Sequence, residues 1–435
     1  MDIINTRTDW AIEKLGKFAI HEKGKKPKNQ KDIQDDVYKF AYINIEAFEK
    51  GIFKSFTDGE KCNFCSDGDF LMVWDGSRSG LVGKGISGAL GSTLVRINFP
   101  GIDNDFAYFF LKSKYQQINT RAKGTGTPHV DPGLLWNYDY PIAPLPEQRA
   151  IVAKIEELFS SLDSGIADLK KAQEQLKIYR QAVLKKAFEG GFLNVEDSFS
   201  KLSIVKLGSL IEKPKYGTSK KCILKAIGIP VLRIPNIRDG KVDKSELKYA
   251  EFDQNEISNL ALNEGDILTI RSNGSVDLVG KCALISKFDT EFLYAGYLIR
   301  LRPNSLLIDS TYLLHCLSSY ELRVQIESKA KSTSGVNNIN SGELQDLDIP
   351  IFNLINQKKI VQEIESRLSV CDKVEESIVE SLEKSKALRQ SILKKAFEGK
   401  LLNEAEIAAC KAAPDYEPAS VLLERIKKAA VKKKK

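Results

Sequence analysis

The chain has 435 residues, 42% of them hydrophobic and 28% charged, with 65 Lys and Arg against 58 Asp and Glu for a net charge of +7. That length allows two or three domains, each with its own core, and the absence of any run of about 18 apolar residues excludes a membrane-spanning helix. In a chain this long the basic excess favours a polyanionic partner only mildly.

The N-terminal stretch MDIINTRTDWAIEKLGKFAI has no basic-then-apolar signal pattern, so a cytoplasmic protein without membrane contact is expected. Seven scattered cysteines, an odd number, fit a reducing compartment. Cys62-Asn63-Phe64-Cys65 is a lone CxxC without a second pair or a histidine at zinc spacing, and no metal site is expected from it.

Residues from about 10 to 140 make a first globular region. Phe70–Trp74 and Thr93–Ile97 read as strands, Phe106–Lys114 as a helix, and His21–Lys31 as a basic loop too polar for a core. Gly83-Lys84-Gly85-Ile86-Ser87-Gly88 is a formal GxGxxG, but strand-like residues follow it, so a hairpin is expected rather than a cofactor loop.

A stretch from Pro141 to Leu193 comes next, and it returns without a gap, 209 residues on, from Pro350 to Leu402. In the first copy Ile155, Leu162, Leu169, Leu176 and Val183 recur every seven residues, the seam of a long paired helix. The second copy keeps Ile364, Ile378 and Ile392 in phase but carries Cys371 and Ser385 in the seam, which points to pairing between the copies. About 42 helical residues at ~1.5 Å each span roughly 60 Å. Gly190 and Gly399 are expected to close the helices, and Asn353 and Asn356, replacing Pro144 and Glu147, to give the second a less rigid start.

Between and before the helices the globular regions echo one another more loosely. Lys14-Leu15-Gly16 returns as Lys206-Leu207-Gly208, Gly68–Leu71 as Gly265–Leu268, and Leu81–Lys84 as Leu278–Lys281, in the same order. The fold class expected is α+β: two globular α/β domains separated by a long antiparallel two-helix coiled coil, in an internal pseudo-twofold repeat. The expected divisions are 1–143 for the first domain, 144–192 for the first helix, 193–352 for the second domain, 353–402 for the second helix and 403–435 for a tail. The tail's closing lysines read as a solvated terminus.

No catalytic centre is legible. GxxxxGK[ST] and Asn-Pro-Pro-aromatic motifs are absent, and His21, His129 and His315 stand apart from any nucleophile pattern. What recurs is hydrogen-bond donors beside turns. The first region offers Lys25, Lys26, Lys28, Arg78, Lys84, Arg121 and Lys123, and the second Lys220, Lys221, Arg233, Arg271, Lys281 and Lys331, with Asn236 and Asn273 able to pair with adenine. Recurrence at corresponding places, as with Lys84 and Lys281, supports a DNA-binding reading.

The repeat resembles the DNA-specificity subunit of type I restriction-modification systems. The resemblance lies in Pro141–Val152 leading into a helix that ends Leu184-Lys185-Lys186-Ala187-Phe188-Glu189-Gly190, both parts repeated, and in Gly228–Asn236 and Gly265–Leu268. It implies a non-catalytic reader of double-stranded DNA whose two target-recognition domains each read half of a split sequence. It also implies two modification (methyltransferase) subunits that methylate adenine, and restriction (endonuclease/translocase) subunits. S-adenosylmethionine, ATP and Mg would belong to those partners and no cofactor to this chain. Partner contacts are expected near Lys185, Phe188, Lys394 and Phe397. Two other readings compete with this one, a self-contained DNA-modifying enzyme and a coiled-coil scaffold that binds only proteins.

Overall fold

The structure, a computed structural model, describes residues 6–124, 126–194, 202–333 and 335–432, without the side chains of 331–333 and 429–432. Two compact units emerge, one formed by residues 1–168 with 380–435 and the other by 169–379. They do not follow the linear division expected above, because each long helix contributes one half to each unit and the tail joins the first.

The first unit contains, in order, β1 (Ala11–Lys14), β2 (Ile20–Lys23), β3 (Phe40–Ile43), β4 (Phe70–Val73), β5 (Val82–Lys84), β6 (Gly88–Leu90), β7 (Leu94–Asn98), helix α1 (Asn104–Thr120) and β8 (Asp139–Ile142). Strands β2-β7-β4-β5 form an antiparallel sheet, β1 pairs with β8, and β3 runs parallel to β6. Every residue of β4 is buried, as an unbroken Phe-Leu-Met-Val run requires of a central strand. The GxGxxG segment joins β5 to β6 and opens no helix, but the two strands lie in different sheets, so it is a crossover between sheets and not the hairpin expected.

After the long helix α2 (Leu145–Phe188), the second unit repeats this plan with β9 (Ser203–Lys206), β10 (Lys215–Tyr216), β11 (Ile229–Leu232), β12 (Ile267–Ile270), β13 (Cys282–Leu284), β14 (Leu293–Tyr294), β15 (Leu298–Leu301), helices α3 (Ser310–Ser318) and α4 (Tyr320–Lys329), and β16 (Asp348–Ile351). The sheet order β10-β15-β12-β13, the β9–β16 pair and the parallel β11–β14 pair match the first unit strand for strand. The chain then enters α5 (Leu354–Phe397) and ends with α6 (Glu404–Lys411) and α7 (Ala419–Lys432). The tail is therefore structural, since Cys410, Leu422 and Ile426 are core residues of the first unit. Residues 433–435, with the last of the closing lysines, lie outside the described residues.

The long helices pack as an antiparallel coiled coil. Arg389 pairs with Asp163 in the first unit, and Arg180 with Asp372 in the second, so 17 residues forward on α2 are 17 residues back on α5. The seam keeps Ile155, Cys371, Ile378 and Ile392 buried. Cys371 thus serves as a small apolar seam residue. Both helices stop as their sequences require. Gly190 and Gly399 have φ of 80° and 71°, and the N–H groups of Gly191 and Lys400 reach back to Lys186 O and Lys395 O, each at 2.8 Å, in Schellman closures. Helix α5 does not start loosely, because the Asn353 side chain accepts from Asn356 N at 2.9 Å and supplies a cap.

Phe188 and Phe397, expected near partner contacts, are largely buried in the domain cores. Phe397 packs 5.1 Å from Phe106 in the first core, and Phe188 meets Tyr312 at 5.3 Å in the second. Each helix C-terminus is thereby sewn into the domain of the other repeat, which explains why Leu-Lys-Lys-Ala-Phe-Glu-Gly occurs twice. The lysines of that motif, Lys185 and Lys394, stay exposed.

The glutamines one turn into the helices do equivalent work. Gln148 accepts from Asp103 N at 2.9 Å and donates to Ala143 O at 2.7 Å, while Gln357 accepts from Asp309 N at 2.8 Å and donates to Phe352 O at 2.8 Å. Asp103 and Asp309 in turn cap α1 and α3. Each fully buried glutamine therefore locks a long helix to the domain helix beside it. Gln148→Leu leaves the Asp103 N–H unmet and should cost about 1–3 kcal/mol. Urea unfolding would show this as a lower midpoint, and an unmoved midpoint would remove the anchoring role.

Candidate nucleic-acid interface

The topological match fixes which residues correspond, and one expected pair does not. Met72 opposes Val82 where Thr269 opposes Cys282, so Lys84 aligns with Leu284 and Lys281 with Leu81. The turn before β13 is three residues longer than the one before β5, which is why the Val-Gly-Lys echo misleads. Arg121 corresponds with Lys329. Ile118 and Ile326, three residues before them, each pack beneath a left-handed glycine, Gly80 or Gly280.

The loops leaving β2 and β10 do correspond. Gly24 N bonds Leu94 O and Lys25 N bonds Leu90 O, while Gly217 N bonds Leu298 O and Thr218 N bonds Tyr294 O. A Cβ on Gly24 would fall 2.1 Å from Gly91 O, and one on Gly217 would fall 2.2 Å from Tyr294 O. Only glycine lets the chain cross this closely over the end of the parallel strand pair. Beyond the crossing both loops turn basic, with exposed Lys25, Lys26 and Lys28 in the first unit and Lys220 and Lys221 in the second. Lys25, Lys26, Lys28 and Lys221 have no ion-pair partner among the described residues.

In the second unit this loop walls a groove of about 530 Å³ that also takes in Arg233, Lys248 and Tyr297. Lys220 is held in place by Glu256 at 2.6 Å and by Glu251 O at 2.9 Å. Arg233 donates to Glu246 O at 2.9 Å, and its Nε is buried without a partner. The uncompensated lysines beside it leave the groove positive, which suits an anionic acceptor. Desolvation raises the Cys222 thiol above its ordinary value, so it lines the groove as a neutral group. Along the rim, Arg271 lies over the Tyr216 ring at 4.8 Å and its backbone N–H bonds Tyr297 O. Tyr297 itself is 62% exposed.

The remaining candidates separate. Arg78 is paired with Glu49, Lys84 with Asp105 at 3.3 Å and Lys123 with Asp131 at 2.9 Å, so these three are engaged by their own domain. Asn236 is not a base reader. It is 1% exposed, accepts from Arg233 N and donates to Asp243 O and Glu246 O, bracing the groove floor instead. Asn273 accepts from Ser275 N in a turn. Lys281 is exposed without an ion-pair partner among the described residues, Arg121 is likewise exposed, and the Lys331 side chain lies outside them. Sequence reasoning missed Lys248 and Tyr297, which sit far along the chain from the loop they face and follow no motif.

Among the described residues no group of three or more His, Cys, Asp and Glu could hold a metal ion, and no helix is long and apolar enough to cross a membrane. Two copies of one α+β domain, each carrying a basic loop at the same crossing and joined by paired helices, define a tandem recognition chain. The chain belongs to the family of the Type I restriction modification DNA specificity domain, whose model matches residues 7–176 and 200–384. It is 30% identical to the type I restriction enzyme EcoKI specificity subunit of Escherichia coli K12 over 327 residues, 74% of this chain and 70% of that protein. Against the MjaVIII specificity subunit of Methanocaldococcus jannaschii it is 26% identical over 398 residues, 88% and 92% of the two chains. The fold is shared with a chain solved to give the structural basis of assembly and conformational transition in a type I R-M system (TM-score 0.71, 21% identity, 91% and 99% covered). The HsdS subunit of Thermoanaerobacter tengcongensis also shares it (TM-score 0.54, 19% identity, 91% and 98% covered).

Proposed function

We propose that this chain is the sequence-reading subunit of a type I restriction-modification complex. Each recognition domain takes one half of a bipartite double-stranded DNA target, and the helix pair sets the distance between the halves. The single observation that carries this is the basic loop repeated at the same backbone crossing in two otherwise divergent domains. Phosphate grip by free lysines positions the duplex, and the groove residues that differ between the domains supply separate base readout. Two modification subunits dock on the chain and methylate adenine, and restriction subunits add translocation and cleavage. S-adenosylmethionine, ATP and magnesium belong to those subunits, and the complex works in the cytoplasm, where the chromosome is.

Arg233→Ala is the discriminating substitution. Losing one guanidinium contact to a base should cost about 1–3 kcal/mol and relax recognition of one half-site only. Equal loss on both halves, measured with targets mutated in each half, would count against independent domains. A scaffold that binds only proteins would show no DNA affinity, whereas a reader neutralising Z phosphates shows a log-log salt slope of about −0.9Z.

A further inference from the structure

The loops that leave the two glycine crossings share a course but not a charge. In the first unit the tip is Asp32-Ile33-Gln34-Asp35-Asp36-Val37, where exposed Ile33 and Val37 stand among three carboxylates and Lys31 is held by Asp35 at 2.9 Å. In the second unit the loop from Gly217 to Gly228 contains no acidic residue and three lysines, Lys220, Lys221 and Lys225. Its tip is apolar as well, with Leu224 76% exposed and Ile223 and Ile227 exposed on either side. Lys221 and Lys225 have no ion-pair partner among the described residues.

This second tip is braced at both ends. Ile223 N donates to Tyr249 O at 2.9 Å and Tyr249 N to Ile223 O at 2.8 Å, which ties the entry to the strand Lys248–Ala250. The exit lies against the same strand, where Gly228 has a φ of 86° and a Cβ on it would fall 2.2 Å from Ala250 O. Between them Ile227 N reaches back to Lys225 O at 2.8 Å. Lys220 and Lys221 line both the positive groove and a hollow that Ile223 and Ile227 share, so Leu224 stands at the tip of the groove's wall. A large apolar side chain held out on a braced turn among free cations is placed to enter the apolar interior of a polyanion, the stack of base pairs.

We infer that Leu224 is a wedge that presses between two base pairs at the second half-site, with Lys221 and Lys225 on the flanking phosphates. The inference rests on the functional reading above, in which this groove receives DNA. An apolar side chain that enters the stack opens one base step and bends the duplex, and pyrimidine–purine steps yield most easily. Leu224 therefore adds selectivity through the deformability of that step, without a hydrogen bond to any base edge. The first tip has no such role, because Asp32, Asp35 and Asp36 repel phosphate. The two halves of the target are thus read differently, one with unstacking and one without.

The test uses the full-length chain and a bipartite duplex selected by it, with 2-aminopurine placed in turn at each adenine of both half-sites and their flanks. Emission should rise severalfold at one step of the second half-site and at none of the first. Leu224→Ala should abolish that rise and lose about tenfold in affinity, whereas Leu224→Met, as large and as apolar, keeps both. The double variant Ile33→Ala, Val37→Ala should change neither. An unchanged thermal melt shows that the variants are folded, as substitutions at exposed positions should be. A wild-type chain that binds the duplex with flat emission, or a Leu224→Ala chain that keeps both the rise and the affinity, overturns the wedge and leaves the functional reading standing. A wild-type chain that binds no bipartite duplex overturns that reading itself.

Discussion

Asp266→Ala should be among the most damaging single substitutions in the second unit. Asp266 is fully buried and takes both arms of Arg302, at 2.7 Å each, while also accepting from Asn263 N at 2.7 Å. Removing one member of such a pair strands the other charge, which typically costs 3–5 kcal/mol, and because Arg302 is partly exposed we expect about 3 kcal/mol. For a unit of this size that is a fall in melting temperature of roughly 6–12 °C. The corresponding residue, Asp69, is a useful contrast. Its partner at the place of Arg302 is the neutral Asn98, at 3.0 Å, and Arg96 approaches only to 3.6 Å. Asp69→Ala should therefore cost less, and equal calorimetric shifts for the two variants would show that the ion pair adds nothing.

The second large effect concerns the target itself. Inserting one heptad into α2 and one into the facing stretch of α5 preserves the seam phase and adds about 10.5 Å to the helix pair. At about 3.4 Å per base pair, the preferred spacer between half-sites should lengthen by roughly three base pairs while both half-site sequences stay the same. Selection from a randomised-spacer library reads this directly. An unchanged spacer would remove the helices as the element that sets the separation.

The helices, their antiparallel pairing and the repeat were legible because each rests on a periodic or copied pattern. The seven-residue seam survives divergence, and Gly190 and Gly399 sit where a left-handed closure demands them. The twice-written Lys-Lys-Ala-Phe-Glu-Gly was visible too, but its role was not. Phe188 and Phe397 looked like docking residues, and only tertiary packing shows them to be core. Asn236 failed similarly, since side-chain chemistry cannot tell a base reader from a brace whose donors and acceptor are already spent on backbone. The false match of Lys84 with Lys281 came from a three-residue difference in turn length that short echoes cannot register. Lys248 and Tyr297 were invisible because a groove is assembled from segments distant in sequence. Of the basic stretch read as a loop from His21 to Lys31, His21–Lys23 belong to β2 and Gln30–Lys31 to a short strand, while Lys25, Lys26 and Lys28 lie in the loop between. The structure adds the glycine crossing, which admits no side chain, that this loop shares with Lys220 and Lys221.

If this chain reads the target as proposed, it determines which adenines its partner subunits methylate. Sequencing methylated adenines in cells with and without it tests that most directly. The expected result is a bipartite motif, two short specified halves around an unread spacer, whose methylation is present with the chain and lost without it. A methylation pattern that does not change when the chain is removed would contradict it.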